Sequence, residues 1–341
     1  MGRMGSVGAA QQWADKQGFE AEAAWDPAWV SQPRGTGGPK GLRGLYLVQF
    51  ANGAVYVGIS TVDCASRLRA HGDRWDDIVS VRLLPFPGAT DALRRRERKL
   101  IHGAETAGIV VRNREHALRF EGTSTFDQLV DVDLQTEWLD NPAAVNAADA
   151  ATPVTLPASQ IEAYADRYRR FEARQDHQQV LEALRSYLRH TMPLPARTEA
   201  SFWSVSCHPT SNKQRIVCVN VNQMETFVVF HPDTGADIHA FVNVDRTELP
   251  ANSLKRRWFL LRRGIRIGSG RYVSGGADQI QLRVTGHATL ARMLDDPVIQ
   301  RAAASFNLHL MRKGPCRHTK AHSAQLADAA LSRSRIPSTQ P

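Results

Sequence analysis

Short apolar strands alternate with helical spacings from Gly41 to Asn141, which marks a first domain over 41–141. Gly44-Leu45-Tyr46-Leu47-Val48-Gln49-Phe50 and Ala54-Val55-Tyr56-Val57-Gly58-Ile59 read as two strands around Asn52-Gly53, a strong hairpin signal. A two-residue loop would pair Gln49 with Tyr56 and send Tyr46 and Tyr56 to opposite faces. A three-residue loop, with Gly53 left-handed, pairs Val48 with Tyr56 and puts both tyrosines on one face. The second register also gathers Leu45, Leu47, Val55, Val57 and Ile59 on the other face, and it is the one expected. Beyond the hairpin, Asp63 can cap a helix in which Arg67 and His71 share a face. Thr90-Asp91 opens another helix, Ala92 to about Ala107, with the apolar stripe Leu93, Leu100, Ile101 and Ala104. Glu97 falls on that stripe. Gly108 to Asn113 is a strand-like run ending in an amide.

The remaining pattern is less regular. Residues 1–40, with Trp13, Trp25 and Trp29 in a Gly/Pro/Ala-rich context, read as a loosely ordered arm with a short helix near Ala9 to Gln17. An Ala-rich stretch over 142–158 reads as a linker. Ser159 to Pro193 is one long helix or a helical hairpin. Four strands follow, Phe202 to Ser206, Arg215 to Val221, Thr226 to His231 and Ile238 to Val244, and residues 254–284 read as a further strand pair. A helix from Ala288 to Met311, interrupted near Pro297, closes a second α+β domain over 159–313. A polar, frayed tail is expected over 314–341.

Composition narrows the partners. The 341 residues are long for one core and favour two domains, and 42% hydrophobic with 23% charged residues is ordinary for a folded chain. No apolar run approaches a membrane span and the start lacks a secretory stretch, so a cytoplasmic protein off the membrane is expected. The opening Met1-Gly2-Arg3-Met4-Gly5-Ser6 fits the loose N-myristoylation pattern, but nothing else points to a membrane. Cys64, Cys207, Cys218 and Cys316 are too widely spaced for a disulfide framework or zinc ribbon, and read as small buried thiols. The formal charge of +9 favours a polyanion.

A basic strip holds Lys255, Arg256, Arg257, Trp258, Arg262 and Arg263; it could neutralise phosphates and stack a base, or be a strand whose arginines are simply solvated. Arg95 and Arg98 are further candidate nucleic-acid contacts. Cys316, His318 and His322, with His309 upstream, are near one another in sequence but lack finger spacing. Gly268-Ser269-Gly270 is a turn rather than a phosphate loop, and no dinucleotide fingerprint is present, so no organic cofactor is expected.

Each candidate also has a bland reading. The tyrosines could be ordinary amphipathic strand residues. A carboxylate at Glu97 must be paired or metal-bound to sit on an apolar stripe, and Arg94, Arg95, Arg96, Arg98 and Lys99 are all close enough in sequence to pair with it. Taken together, the elements resemble a GIY-YIG nuclease domain over about residues 42–120, roughly a quarter of the chain. Gly44-Leu45-Tyr46 and Tyr56-Val57-Gly58 stand for the two signatures, with Leu45 and Val57 as aliphatic departures. Arg67-Leu68-Arg69-Ala70-His71 matches the arginine helix, Glu97 with Leu100-Ile101 the acidic helix, and Asn113 the late asparagine.

The resemblance implies a small three-stranded antiparallel sheet flanked by helices, giving an α+β fold beside the second α+β domain. It also implies a metal-dependent endonuclease acting on DNA. Tyr46, Tyr56, Arg67, His71, Glu97 and Asn113 would form the site, and Glu97 would bind Mg2+ or another divalent ion such as Mn2+. Tyr46 or Tyr56 would position or deprotonate the attacking water, Arg67 would favour phenolate or grip phosphate, and Asn113 would order the site. Repair, restriction-type defence and mobile-element roles all fit. A non-catalytic nucleic-acid-binding protein that keeps the fold is the competing reading.

Overall fold

The computed structural model describes residues 7–113, 124–149, 156–209, 214–231, 237–270 and 272–332. The opening hexapeptide lies outside these residues. Two compact units emerge, Met1–Gly122 and Thr123–Pro341, and both mix helices with antiparallel sheet.

The first unit contains helices α1 (Val7–Gln17), α2 (Pro27–Val30), α3 (Cys64–Gly72) and α4 (Thr90–Thr106), and strands β1 (Ala23–Ala24), β2 (Gly44–Phe50), β3 (Val55–Ser60) and β4 (Ile78–Pro85). The strands form an antiparallel sheet in the order β1-β4-β2-β3. Val48 pairs with Tyr56, and Gly53 takes a left-handed φ of 80° in the three-residue loop. One sheet face, with Leu45, Leu47, Val55 and Val57, packs against Leu93, Leu100, Ile101 and Ala104 of α4 and Ala10, Trp13 and Ala14 of α1. The other face, with Tyr46, Val48 and Phe50, packs on Cys64, Ala65 and Leu68 of α3. The Asp63 carboxylate accepts from the Ala65 and Ser66 amides, so the expected cap forms.

Three expectations for this unit are corrected. The third long strand is β4, while the 108–113 run makes only a parallel bridge, Val55 to Val111, along the β3 edge. The two-residue β1 makes the sheet four-stranded. Residues 7–40 are integrated rather than loose, because their tryptophans have apolar surface to bury. Trp13 sits in the core beside Phe19, and the Trp25 amide donates to the Val79 carbonyl at 2.9 Å. Arg82, buried within β4, pairs with Asp15 and Glu22.

The second unit carries α5 (Val132–Asp140), α6 (Pro142–Ala148), α7 (Ala158–Glu162), α8 (Ala165–Glu172), α9 (His177–Thr191) and α10 (Pro195–Thr198). Strands β5 (Trp203–Cys207), β6 (Arg215–Val221), β7 (Met224–Phe230) and β8 (His239–Asp245) follow. Then come α11 (Ser253–Leu261), β9 (Arg266–Gly268), β10 (Gln279–Thr285), α12 (His287–Leu294), α13 (Pro297–Lys313) and α14 (Ala324–Ala330). The sheet runs β5-β6-β7-β8-β10-β9, antiparallel throughout. Helices α9 and α13 pack together against it: Tyr187 stacks on Phe227 at 4.7 Å, and its hydroxyl meets Asn307.

The four strands after Pro193 and the helix break at Pro297 lie where the sequence places them, within a residue or two. The helical stretch before Pro193 is three segments rather than one rod or a simple hairpin. Residues 124–141, expected in the first domain, belong to this unit, and 142–148 of the expected linker form α6. Pro142 starts α6 at a position that needs no amide donor. Asn146 then holds the Trp138 indole at 2.9 Å and the Arg189 carbonyl at 2.8 Å. The basic strip is helix α11 instead of a strand, because Asn252 caps it through the Leu254 and Lys255 amides and its Leu, Lys and Arg residues favour helix. The described part of the tail, 314–332, is packed: Cys316, His322, Leu326 and Ala327 are buried.

Candidate active site

The β2–β3 register brings Tyr46 and Tyr56 to one face, with ring centroids 6.4 Å apart. Helix α3 runs beside them and delivers His71, whose Nε2 lies 2.9 Å from the Tyr46 hydroxyl. The imidazole is further fixed by aromatic neighbours. Trp75, just past the helix end, stacks on it at 4.7 Å and 15°, and Tyr56 meets it edge-on at 4.8 Å. Sequence reasoning missed Trp75. Its only sequence signal is the four-residue offset from His71, which is helical spacing carried past the end of the helix.

Glycine at 58 is required by Tyr46. A Cβ there would lie 2.3 Å from the Tyr46 Cζ and hydroxyl oxygen, so the ring can cross the opposite strand only over a bare Cα. Asn113 works on the same strand. Its Oδ1 accepts from the Val57 amide at 3.0 Å and its Nδ2 donates to the Val57 carbonyl at 2.7 Å, replacing a missing strand partner. The asparagine therefore orders strand β3 at Val57.

Charge completes the arrangement. Burial, reinforced by Tyr56 and Cys64, holds the Tyr46 phenol far above its ordinary value; the positive Arg67 pulls the other way and the Glu97 carboxylate adds to the rise. Arg67 on α3 and Glu97 on α4 thus both act on the Tyr46 hydroxyl from separate helices. At Tyr46 the desolvation of a phenol only 2% exposed outweighs the pull of the Arg67 cation toward phenolate. Burial, with Arg74 and Arg67 behind it, pushes His71 down to about 4, so its imidazole is neutral at pH 7. Glu97 is half-buried on the predicted stripe, and Arg67 is exposed.

Not every candidate joins this site. Arg95 is exposed on α4, and Arg98 is half-buried with an enclosed Nε that lacks a hydrogen-bond partner among the described residues. Lys255, Arg256, Arg257, Trp258, Arg262 and Arg263 lie on or just after α11 in the second unit. The Cys316, His318 and His322 grouping does not converge. His318 is exposed, the Cys316 thiol donates to the Asn220 carbonyl, and buried His322 meets buried Glu199 at 2.9 Å. No group of three or more His, Cys, Asp or Glu side chains arranged to hold a metal occurs among the described residues. All four cysteines are free and buried. No helix among the described residues is long and apolar enough to cross a membrane. No family model matches the chain, and no curated protein or solved structure does either.

Proposed function

We propose that the first unit is a GIY-YIG-type endonuclease that hydrolyses phosphodiester bonds in DNA with a divalent cation, Mg2+ or Mn2+. The observation that carries this reading is the Tyr46 hydroxyl held 2.9 Å from His71 Nε2 on the face it shares with Tyr56, in a place where the charges of Arg67 and Glu97, thirty positions apart in sequence, both bear on the phenol.

The donor set suits a hydrated ion. Mg2+ takes one or two carboxylates and keeps its waters, so the single half-buried Glu97 carboxylate fits it and a closed protein cage is not required. When bound, the ion would supply Lewis-acid stabilisation of charge on the phosphoryl oxygens. Glu97 would hold it. Arg67, exposed at the rim, would grip a phosphate oxygen through its planar fork. Tyr46 keeps its proton and orients His71. That leaves the more exposed Tyr56 phenol to order the attacking water and the neutral imidazole of His71 to take its proton. Asn113 and Gly58 keep the strand under both rings in register.

Plasmid nicking tests the reading. Relaxation of supercoiled DNA in Mg2+, abolished by a chelator, is expected. A chain that binds DNA but never cuts plasmid, branched or single-stranded substrates in Mg2+ or Mn2+ would instead be the non-catalytic binder.

A further inference from the structure

Helix α11 presents a surface that its own unit does not use. Between Leu249 and Ala277 the sequence holds no acidic residue and seven basic ones. At 3.6 residues per turn, Arg257, Leu261, Leu254, Trp258, Arg262 and Lys255 fall in that order around about 160° of the helix. All six are exposed, with Leu254 at 76%, Trp258 at 62% and Leu261 at 58%, whereas Leu260 on the opposite side is buried.

The arginines of this segment divide into two sets. Arg256 is turned back onto the Pro250 and Ala251 carbonyls, and Arg263 is held by Asp296 at 2.7 Å and lies over the Phe259 ring. Those two anchor the helix. By contrast, Arg262 stacks over Trp258 at 4.4 Å, and Arg257 and Lys255 bracket the indole from either side.

We infer that this arc binds single-stranded nucleic acid. One face of the indole stacks a base while the other is backed by the Arg262 guanidinium, and Arg257, Arg262 and Lys255 follow the phosphates. Charge complementarity selects this partner: the arc is cationic and acid-free, and its guanidiniums match phosphate oxygens in geometry as well as charge. The apolar stripe covers only two turns, short for a helix that lies in a lipid interface. The inference goes beyond cleavage and is read without it.

The test uses the full chain carrying Glu97→Gln, in chelator, titrated into fluorescein-labelled oligothymidylate across a salt series. Binding is expected, with Trp258→Ala weakening it roughly tenfold or more and Trp258→Phe recovering most of the loss. Arg257→Ala with Arg262→Ala should flatten the log–log salt slope by about 1.4, two phosphate contacts on a single strand. Arg263→Ala should lower the melting temperature and leave the slope of the folded fraction unchanged. Because Trp258, Arg257 and Arg262 are exposed, their variants should melt like the parent. Affinity and slope unchanged in those variants would overturn the inference. A blue shift of Trp258 emission on phosphatidylglycerol vesicles without oligonucleotide binding would also overturn it, and would assign the arc to a membrane.

Discussion

The Tyr46 hydroxyl sits 2.9 Å from Nε2 of His71, with the imidazole stacked on Trp75. The pair joins a β-strand to a helix that begins eighteen positions later in sequence, and burial sets the protonation state of both groups. The phenol stays protonated and the imidazole stays neutral, since burial is the main cause of each shift.

This gives a pH dependence with a definite sign. The folded protein holds His71 at about 4, below its unfolded value near 6.5, so the unfolded chain binds the proton first. The stabilisation is complete above about pH 6.5 and is lost as pH falls toward 4. Melting temperatures measured between pH 7 and pH 4.5 should therefore fall more steeply for the native chain than for His71→Gln. Parallel curves would show that His71 titrates normally.

Gly58→Ala should force the Tyr46 ring off the strand, costing about 1–3 kcal/mol in chemical unfolding and separating the hydroxyl from His71. Adding Tyr46→Val should relieve the clash but open a cavity, so stability returns only in part and cleavage stays absent. Recovery of cleavage in the double variant would remove Tyr46 from the site.

Asn113→Ala leaves the Val57 amide and carbonyl without partners, which should destabilise the first unit by about 2–4 kcal/mol in urea unfolding. Near-native stability with lost cleavage would make Asn113 a reacting group rather than a strand partner.

In the second unit, the Val205 amide donates to His322 Nδ1, so Nε2 carries the proton that meets Glu199. Both side chains are wholly buried. His322→Ala removes a buried partner of the Glu199 carboxylate and of the Val205 amide and should cost about 1–3 kcal/mol, with no protection of the native chain by added zinc. Zinc-dependent stabilisation would revive the metal reading of this histidine.

Much of the first unit was legible because local rules determine it. Asn52-Gly53 with alternating apolar neighbours fixed the register, Asp63 the helix start, and the four-residue stripe the buried face of α4. Other features depended on non-local partners. β4 lacks a turn signature of its own and is specified by pairing with β2, while the tryptophans of 1–40 are ordered only because a core exists to receive them. At α11 the expected strand gives way to a helix because cations and apolar residues come in blocks of two to four with no clear period, and the Asn252 cap that decides between the two is a short-range side-chain contact. Ionisation at Tyr46 was not legible either, since burial depth belongs to the fold. The 142–158 composition suggested a linker, but alanine is equally a helix former once Asn146 has carbonyls to hold.

The most direct measurement is single-turnover cleavage of plasmid DNA in Mg2+ by the native chain and by Glu97→Gln, with DNA binding followed on the same samples by anisotropy. Loss of cleavage by at least a hundredfold, with binding retained, is expected for a carboxylate that holds the ion. Cleavage by Glu97→Gln at the native rate would contradict the account.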